Sequence, residues 1–428
     1  MKKIAAIMSL IALSATMLSA QTARQEIRAK VTLAANNYQD YPVPTKKLTA
    51  APRGYEPYYI SHYGRHGSRW LIGKGAFDAP YRTLHAADSL GKLTPRGRTL
   101  LDQVRAIRDE AMGRDGELTP RGAEQHKGIA RRMMERFPEV FAGPTRIDAK
   151  STTVIRCILS MENALQQLLV MNPKLDIRHD ASVHDMWYMN QPDRRLDQLK
   201  NSPEAKAALK DFNARHENYA HVMETIFNDA DYWRHEINAG SLNRSLFKLA
   251  SNMQSTELRG SISLYDLFTD DEIYDNWLCD NAWWYVAFGP SPLSGGVQPF
   301  SQRNLLRMMI HEADSCVALP HPGATLRYGH DTMVMPLTCL LDLDGLGQPI
   351  GSLDSLDLKG WHNYDIFPMA CNIQLVFYRR KAADGDILVK VLRNEREARL
   401  PLKSDIAPYY RWKDVRAFYL GKLDAYRE

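Results

Sequence analysis

Apolar positions recur along the chain with two periods, the alternation of strands and the three-to-four-residue spacing of helices. Tyr58-Tyr59-Ile60 is a short apolar run that reads as the end of a buried strand, after which the chain turns through Gly64 and Gly67. Leu93-Thr94-Pro95-Arg96-Gly97 and Leu118-Thr119-Pro120-Arg121-Gly122 each place threonine as N-cap and proline at the first helical position. The second predicts an amphipathic helix over 120–136, with Ile129, Met133 and Phe137 at helical spacing. A short strand over 145–149, a turn at 150–153 and an apolar helix over 154–171 follow. Helix 301–318, strand 324–328 and helix 333–341 make a second strand–turn–helix run. Two alternating strands, 372–379 and 387–392, then precede a terminal helix from about Arg411.

Strands alternating with helices across 58–190 and 300–380 predict an α/β fold, a mainly parallel central sheet with helices on both faces. Between about 191 and 298 the texture changes to short, helix-like, aromatic segments that include Trp277, Trp283, Trp284 and Tyr285. We expect a mostly helical inserted subdomain there, its aromatics forming a core rather than a stacking platform. Residues 21–190 and 299–428 would form the α/β domain. The polar, proline-dotted stretch 21–57 is expected to be a wrapping arm.

The first twenty residues stand apart. Met1-Lys2-Lys3, an apolar run from Ile4 to Leu18, and Ser19-Ala20 before polar Gln21 have the layout of a secretory signal peptide. The apolar run is short for a membrane span and is interrupted by Ser9, Ser14 and Thr16, so no stable membrane anchor is expected. Export would place the protein in the periplasm or outside the cell. The formal net charge is +5; Lys2 and Lys3 account for two of the five, leaving +3 once the leader is gone. So mild a balance lacks the footprint of a nucleic-acid-binding protein. With 428 residues, 44% apolar and 25% charged, the chain can build an ordinary globular core. Its five cysteines, 157, 279, 316, 339 and 371, are odd in number and scattered, which allows a bridge but no disulfide framework.

Candidate chemistry gathers at the two strand–turn–helix junctions. Arg65-His66-Gly67-Ser68-Arg69 puts two guanidinium forks, suited to phosphate or carboxylate oxygens, around one imidazole. Neighbouring positive charge disfavours imidazolium, so His66 is either a further anion ligand or a neutral nucleophile. An exposed basic loop is the ordinary alternative. Gly329-His330-Asp331-Thr332 is either a second ionisable junction or an aspartate N-cap beside a histidine. Arg156, in the first turn of its helix, opposes the macrodipole unless an anion sits there too, which makes it a candidate anion ligand. His311-Glu312-Ala313-Asp314 lacks the second histidine of a zinc-protease motif, because position 315 is serine. We see no metal-ligand cluster, and no cofactor is expected.

Taken together, Arg65-His66-Gly67-Ser68-Arg69 and Gly329-His330-Asp331-Thr332 resemble the histidine acid phosphatases, the branch that includes phytases and inositol polyphosphate phosphatases. Glu117 to Gly122 with Gln125, the segment 151–160 around Arg156, and 368–378 resemble further family segments in family order. The resemblance implies a phosphoglycerate mutase-like fold and a phosphomonoester hydrolase. It implies His66 as the nucleophile that forms a phosphohistidine, and Arg65, Arg69, Arg156 and His330 as ligands of the phosphoryl group. Asp331 is implied as the acid that protonates the leaving alcohol. Two departures stand out. Trp70-Leu71 follow Arg69 where many relatives have proline two positions on, and His330-Asp331-Thr332 replaces the His-Ala-Glu common in the inositol polyphosphate branch.

The resulting expectation is an exported acid phosphatase acting on a small phosphomonoester, with phytate or another inositol polyphosphate as the natural substrate. Arg194, Arg195, Lys200, Lys206 and Lys210 would offer a basic rim for a polyanion, or simply a solvated helix face. The alternatives are a broad acid phosphatase for sugar phosphates or nucleotides, and an inactive exported phosphate-binding protein. Protonating a poor leaving group calls for a neutral carboxylic acid, so an acid-shifted rate profile is expected.

Overall fold

The computed structural model describes residues 22–73, 75–380 and 385–427. The expected leader, 1–20, lies outside the described residues. The chain builds one sheet in the order β3-β2-β4-β1-β5-β6-β7, with β8 also paired to β6. The strands are β1 Glu56–Arg65, β2 Arg146–Ser151, β3 Asp176–Asp180, β4 Gly323–Gly329, β5 Asn372–Arg379, β6 Leu388–Arg393, β7 Arg396–Ala398 and β8 Tyr409–Arg411. The four at one end, β3, β2, β4 and β1, are parallel, whereas β5 to β8 add antiparallel pairs on the other side of β1. The sheet is therefore mixed, with its core strands parallel.

Strand β1 alternates its side chains between two cores. Tyr59 and Tyr63 enter the larger one and Ile60 the smaller. Helices Pro120–Arg136 and Ile155–Met171 cover the smaller core's face through Met133, Met161 and Leu168. Those helices begin and end within a residue of the expected positions, and Thr119, like Thr94 ahead of helix Pro95–Ala111, accepts from the backbone N–H of a glycine three residues on. The strand is longer than the apolar run suggested. Gly64 lies inside it, paired with Tyr328 and Asn372, because a β-carbon there would come within 2.8 Å of the His62 ring.

The stretch 191–298 is helical, as its texture predicts, from Arg194–Lys200 to the nineteen-residue Asp270–Phe288. Trp277, Trp284 and Tyr285 are buried, and Trp283 is half exposed. The three buried rings share one apolar cluster with helices 78–89 and 95–111 and with Phe367. The polar arm after residue 21 is ordered: helix Ala23–Ala29, then a tight turn over Val31–Tyr38. Ion pairs of Arg24 with Asp271 and Arg28 with Asp270 tie it to the start of helix Asp270–Phe288. All five cysteines are free thiols. Among the described residues no helix is long and apolar enough to cross a membrane.

Candidate active site

The site forms where parallel neighbours β1 and β4 both end, beyond their carboxyl ends, as expected for an open α/β sheet. Arg65 is the last residue of β1 and pairs with Gly329, the last of β4. His66 continues the pairing through its N–H to the Gly329 carbonyl at 2.9 Å, and its own carbonyl accepts from Ala370 N–H at 3.1 Å. The two junctions picked out from the sequence are thus stitched side by side.

His66 Nδ1 lies 2.8 Å from the Gly67 carbonyl. A carbonyl only accepts, so Nδ1 carries the proton and Nε2 keeps the lone pair. Burial holds this imidazole well below the usual histidine range, reinforced by the positive charge of Arg65, Arg156 and Arg69 and by His330. These effects favour the neutral ring, which leaves the Nε2 lone pair available. His330 stands edge-on to it with ring centroids 5.8 Å apart. Burial and Arg156 likewise lower His330, to about 4.

Every wall of the pocket is pinned from the sides. Ser160 Oγ accepts from Gly67 N–H at 3.1 Å and donates to the Arg156 carbonyl at 2.7 Å, tying the loop to the helix that carries Arg156. Gln125 accepts from Ser68 N–H at 2.8 Å and donates to Ser68 Oγ and Asp40. Thr152 Oγ1 lies 3.2 Å from His330 Nε2, and the Cys157 thiol donates to the Gly329 carbonyl. Arg65 is fully buried and donates to the carbonyls of Asn37 at 2.5 Å and Phe367 at 3.2 Å. Arg69 lies over the Tyr38 ring, 5.2 Å from its centroid. Buried Nε atoms of Arg65, Arg69 and Arg156 find no acceptor among the described residues. Unpaired guanidinium donors converging on a neutral imidazole make a site for a tetrahedral oxyanion.

Asp331 opens helix Asp331–Leu340, where the macrodipole favours a carboxylate. His330, not Asp331, occupies the N-cap position, and its side chain makes no capping bond. Asp331 Oδ1 accepts from the N–H of Thr332 at 2.9 Å. Its Oδ2 lies 2.7 Å from Arg65 Nη2, an ion-pair contact rather than an aligned hydrogen bond, and accepts from Asn37 Nδ2 at 3.0 Å. Burial alone would raise this carboxyl. Arg65, the Asn37 hydrogen bond, Arg69 and His330 outweigh it and hold the group at about 2. The expected neutral acid is therefore ionised among these partners.

All six residues singled out in the sequence come together here: Arg65, His66, Arg69, Arg156, His330 and Asp331. The basic rim does not assemble as a unit. Lys200 pairs with Asp197 at 2.6 Å and borders a cleft with Asn190, Gln302 and Thr332. Arg195 turns to Tyr426 and the Arg427 carbonyl, while Arg194, Lys206 and Lys210 face solvent. Sequence reading missed Asn37, Tyr38 and Asp40 of the arm, and Thr152. No local signal marks them, since their roles exist only through contact. No cluster of three or more metal-ligating side chains occurs among the described residues.

Two further buried histidines lie beneath the loop and carry a stability prediction. Burial lowers His62 to about 3, with His126 and Arg327 adding to it, and burial lowers His126 to about 4. In the unfolded chain both would protonate near pH 6.5, so below that pH the unfolded state binds more protons and stability falls. The loss grows between about pH 6.5 and 4, by up to roughly 1.4 kcal/mol per pH unit for each histidine. Thermal melts at pH 7 and 4.5 should show it, with a shallower pH slope in His62→Asn. An identical slope in that variant would refute the assignment.

The profile of the histidine phosphatase superfamily (branch 2) matches residues 71–394, a span that holds Arg156, His330 and Asp331 and begins two residues beyond Arg69. Among solved structures, the chain is similar to the Bifidobacterium longum multiple inositol polyphosphate phosphatase complexed with inositol hexasulfate. Identity is 18%, the TM-score is 0.74, and the match covers 90% of this chain and 97% of that one. It is also similar to the phytase from D. castellii, at 12% identity and TM-score 0.66, covering 92% and 85%. Hafnia alvei phytase in complex with myo-inositol hexakis sulphate matches at 13% and TM-score 0.54, covering 87% and 98%. At these identities the likeness speaks for the fold. No curated protein matches the chain. The chain belongs to branch 2 of the histidine phosphatase superfamily, and with it to the phosphoric monoester hydrolases.

Proposed function

We propose that the protein is an exported acid phosphatase that hydrolyses phosphomonoesters through a phosphohistidine on His66. The observation that carries this reading is the neutral His66 ring, its Nε2 free, ringed by Arg65, Arg69 and Arg156. In the first step the Nε2 lone pair attacks phosphorus, the bond from phosphorus to the ester oxygen breaks, and Asp331 gives that oxygen a proton. In the second, water attacks phosphorus and loses its proton to Asp331, the bond from phosphorus to Nε2 breaks and returns its electron pair to the ring, and phosphate departs. The three guanidinium groups and His330 neutralise the charge spread over the equatorial oxygens, which is where catalysis of phosphoryl transfer chiefly lies.

An ionised Asp331 at rest is consistent with this scheme. A bound phosphate cancels the field of Arg65 and Arg69 and brings negative charge close, so the carboxyl's proton affinity rises. The proton then arrives with the monoanionic ester, which dominates at acid pH, and the alkaline fall in rate follows loss of that proton. The reading takes residues 21–190 and 299–428 as the phosphatase domain and 191–298 as its helical cover. Export rests on the pattern of residues 1–20.

For the substrate we propose an inositol polyphosphate such as phytate, on the strength of the shared fold with an inositol polyphosphate phosphatase and with phytases. A specific observation favours the broader reading, a general acid phosphatase. The cleft beside Thr332 carries one lysine, Lys200, already paired with Asp197, which is little positive charge for a hexakisphosphate. Phosphate release from phytate and from a sugar phosphate, measured side by side at pH 5, separates them. Phytate should exceed the sugar phosphate in kcat/KM by about tenfold or more. Inactivity on phytate would leave the broad phosphatase.

A further inference from the structure

We propose that Asn37, carried into the site by the N-terminal arm, is a positioning residue for Asp331: its amide decides which carboxyl oxygen is free to hold the proton for the leaving group. This rests on reading Asp331 as the general acid.

The arm reaches the site through a forced turn. Asn36 has φ 56° and ψ −128°, a combination that side-chain-bearing residues adopt only when their surroundings over-determine it. Here they do. Asn36 accepts from Asn363 Nδ2 at 2.6 Å and donates to the Ala34 carbonyl. Asn363 in turn accepts from Trp277 Nε1 at 3.0 Å and donates its backbone N–H to Asn281. The turn points the next residue inward. Asn37 is 6% exposed; its amide reaches Asp331 and its carbonyl receives Arg65. Its neighbours hold the same pocket, since Gln39 accepts from Met369 N–H through its carbonyl and Asp40 pairs with Arg121 and Gln125.

A carboxylate has about four lone-pair positions. In Asp331, Oδ2 faces both Arg65 and Asn37, and one position on Oδ1 is taken by Thr332 N–H. The position most open to a proton is the second one on Oδ1, because the Arg65 cation stands against Oδ2. Without Asn37, a position on Oδ2 opens, and the carboxyl can hold its proton where the leaving oxygen does not take it. The Nδ2 donor also favours the ionised form. The other groups facing Asp331 are Arg65 from β1, Arg69 from the loop, Arg156 and Cys157 from helix Ile155–Met171, the adjoining His330, and Cys371 just before β5. Asn37 differs from these in being a neutral amide donated by a segment outside the sheet.

The test compares wild type with Asn37→Ala and the isosteric Asn37→Asp, following kcat against pH on p-nitrophenyl phosphate and on an alkyl ester, glycerol 2-phosphate. In Asn37→Ala the alkyl ester should lose about tenfold in kcat, several times more than the nitrophenyl ester, because only the former needs the acid. The alkaline limb should move up by roughly half to one pH unit, and further in Asn37→Asp, where a second carboxylate stands beside the first. In an Asp331→Asn background, Asn37→Ala should leave the ratio between the two esters unchanged. Equal losses on both esters with the limb in place would overturn the proposal, as would wild-type behaviour of both variants. Failure of both variants to fold would assign Asn37 to folding instead. Turnover surviving in His66→Ala would sink the phosphohistidine reading itself; an inactive His66→Ala beside wild-type-like Asn37 variants would sink this inference alone.

Discussion

His66→Ala is expected to abolish turnover, lowering kcat on p-nitrophenyl phosphate by on the order of 10⁴-fold or more at pH 5. The expectation follows from what the ring is held to be. Its Nδ1 proton is committed to the Gly67 carbonyl, its backbone is clamped between Gly329 and Ala370, and burial with three arginines keeps it neutral. No neighbouring group replaces it as a nucleophile. Cys157 is buried, its thiol pushed up to about 11 chiefly by that burial and directed at the Gly329 carbonyl. His330 lies beside the ring, its Nε2 against Thr152. The arginine clamp survives the substitution, so phosphate should still inhibit or bind, with the loss falling on kcat rather than KM. Initial rates and a phosphate titration check both halves. Activity within about tenfold of wild type would remove His66 as the nucleophile.

The second large effect concerns a residue that never touches substrate. Gly122, in the first turn of helix Pro120–Arg136, faces the back of the loop that carries His66 so closely that a β-carbon would lie 2.3 Å from the Ser68 carbonyl oxygen and 2.8 Å from its nitrogen. Gly67 meets the same helix from the other side, its own would-be β-carbon 2.4 Å from the Gly122 carbonyl oxygen. Both contacts are backbone against backbone, so no rotamer change relieves them. Gly→Ala inside a helix normally stabilises by roughly 1 kcal/mol. Here the overlap should win, at a cost of about 1–3 kcal/mol, as loop and helix separate. The separation would break the bonds from Thr119 N–H and Oγ1 to the Ser68 carbonyl and from Ser68 N–H to Gln125. A displacement near 1 Å between nucleophile and clamp is worth on the order of 10²-fold in rate. Gly122→Ala should therefore lower both the melting temperature and kcat, and a variant that gained stability at full activity would show the contact to be soft.

Both effects come from parts of the chain that differ in how openly they announce themselves. The arginine–histidine loop and the His330-Asp331 junction stood out in the sequence because glycine turns, apolar runs and clustered charge are near-neighbour patterns. The same holds for helices Pro95–Ala111 and Pro120–Arg136. A threonine cap and a proline in the first turn satisfy or remove orphan N–H groups within a few residues, so their starts were legible to the residue. Strand β1 was underestimated because Ser61, His62 and Gly64 break its apolar run; they belong to it only because β4 and β5 supply partners on both sides.

By itself, then, the sequence determined the alternation of strands and helices, the helix starts, and which residues carry charge suited to a phosphate. Tertiary structure alone decided that Arg156 meets His66, that Asn37 meets Asp331 across 294 positions of chain, and that Asp331 rests ionised. The division is physical. Caps, turns and periodicity are settled by atoms a few bonds or one helical turn apart. The proton affinity of a buried group and the company it keeps are set by whatever packing brings within a few ångströms, from any distance along the chain.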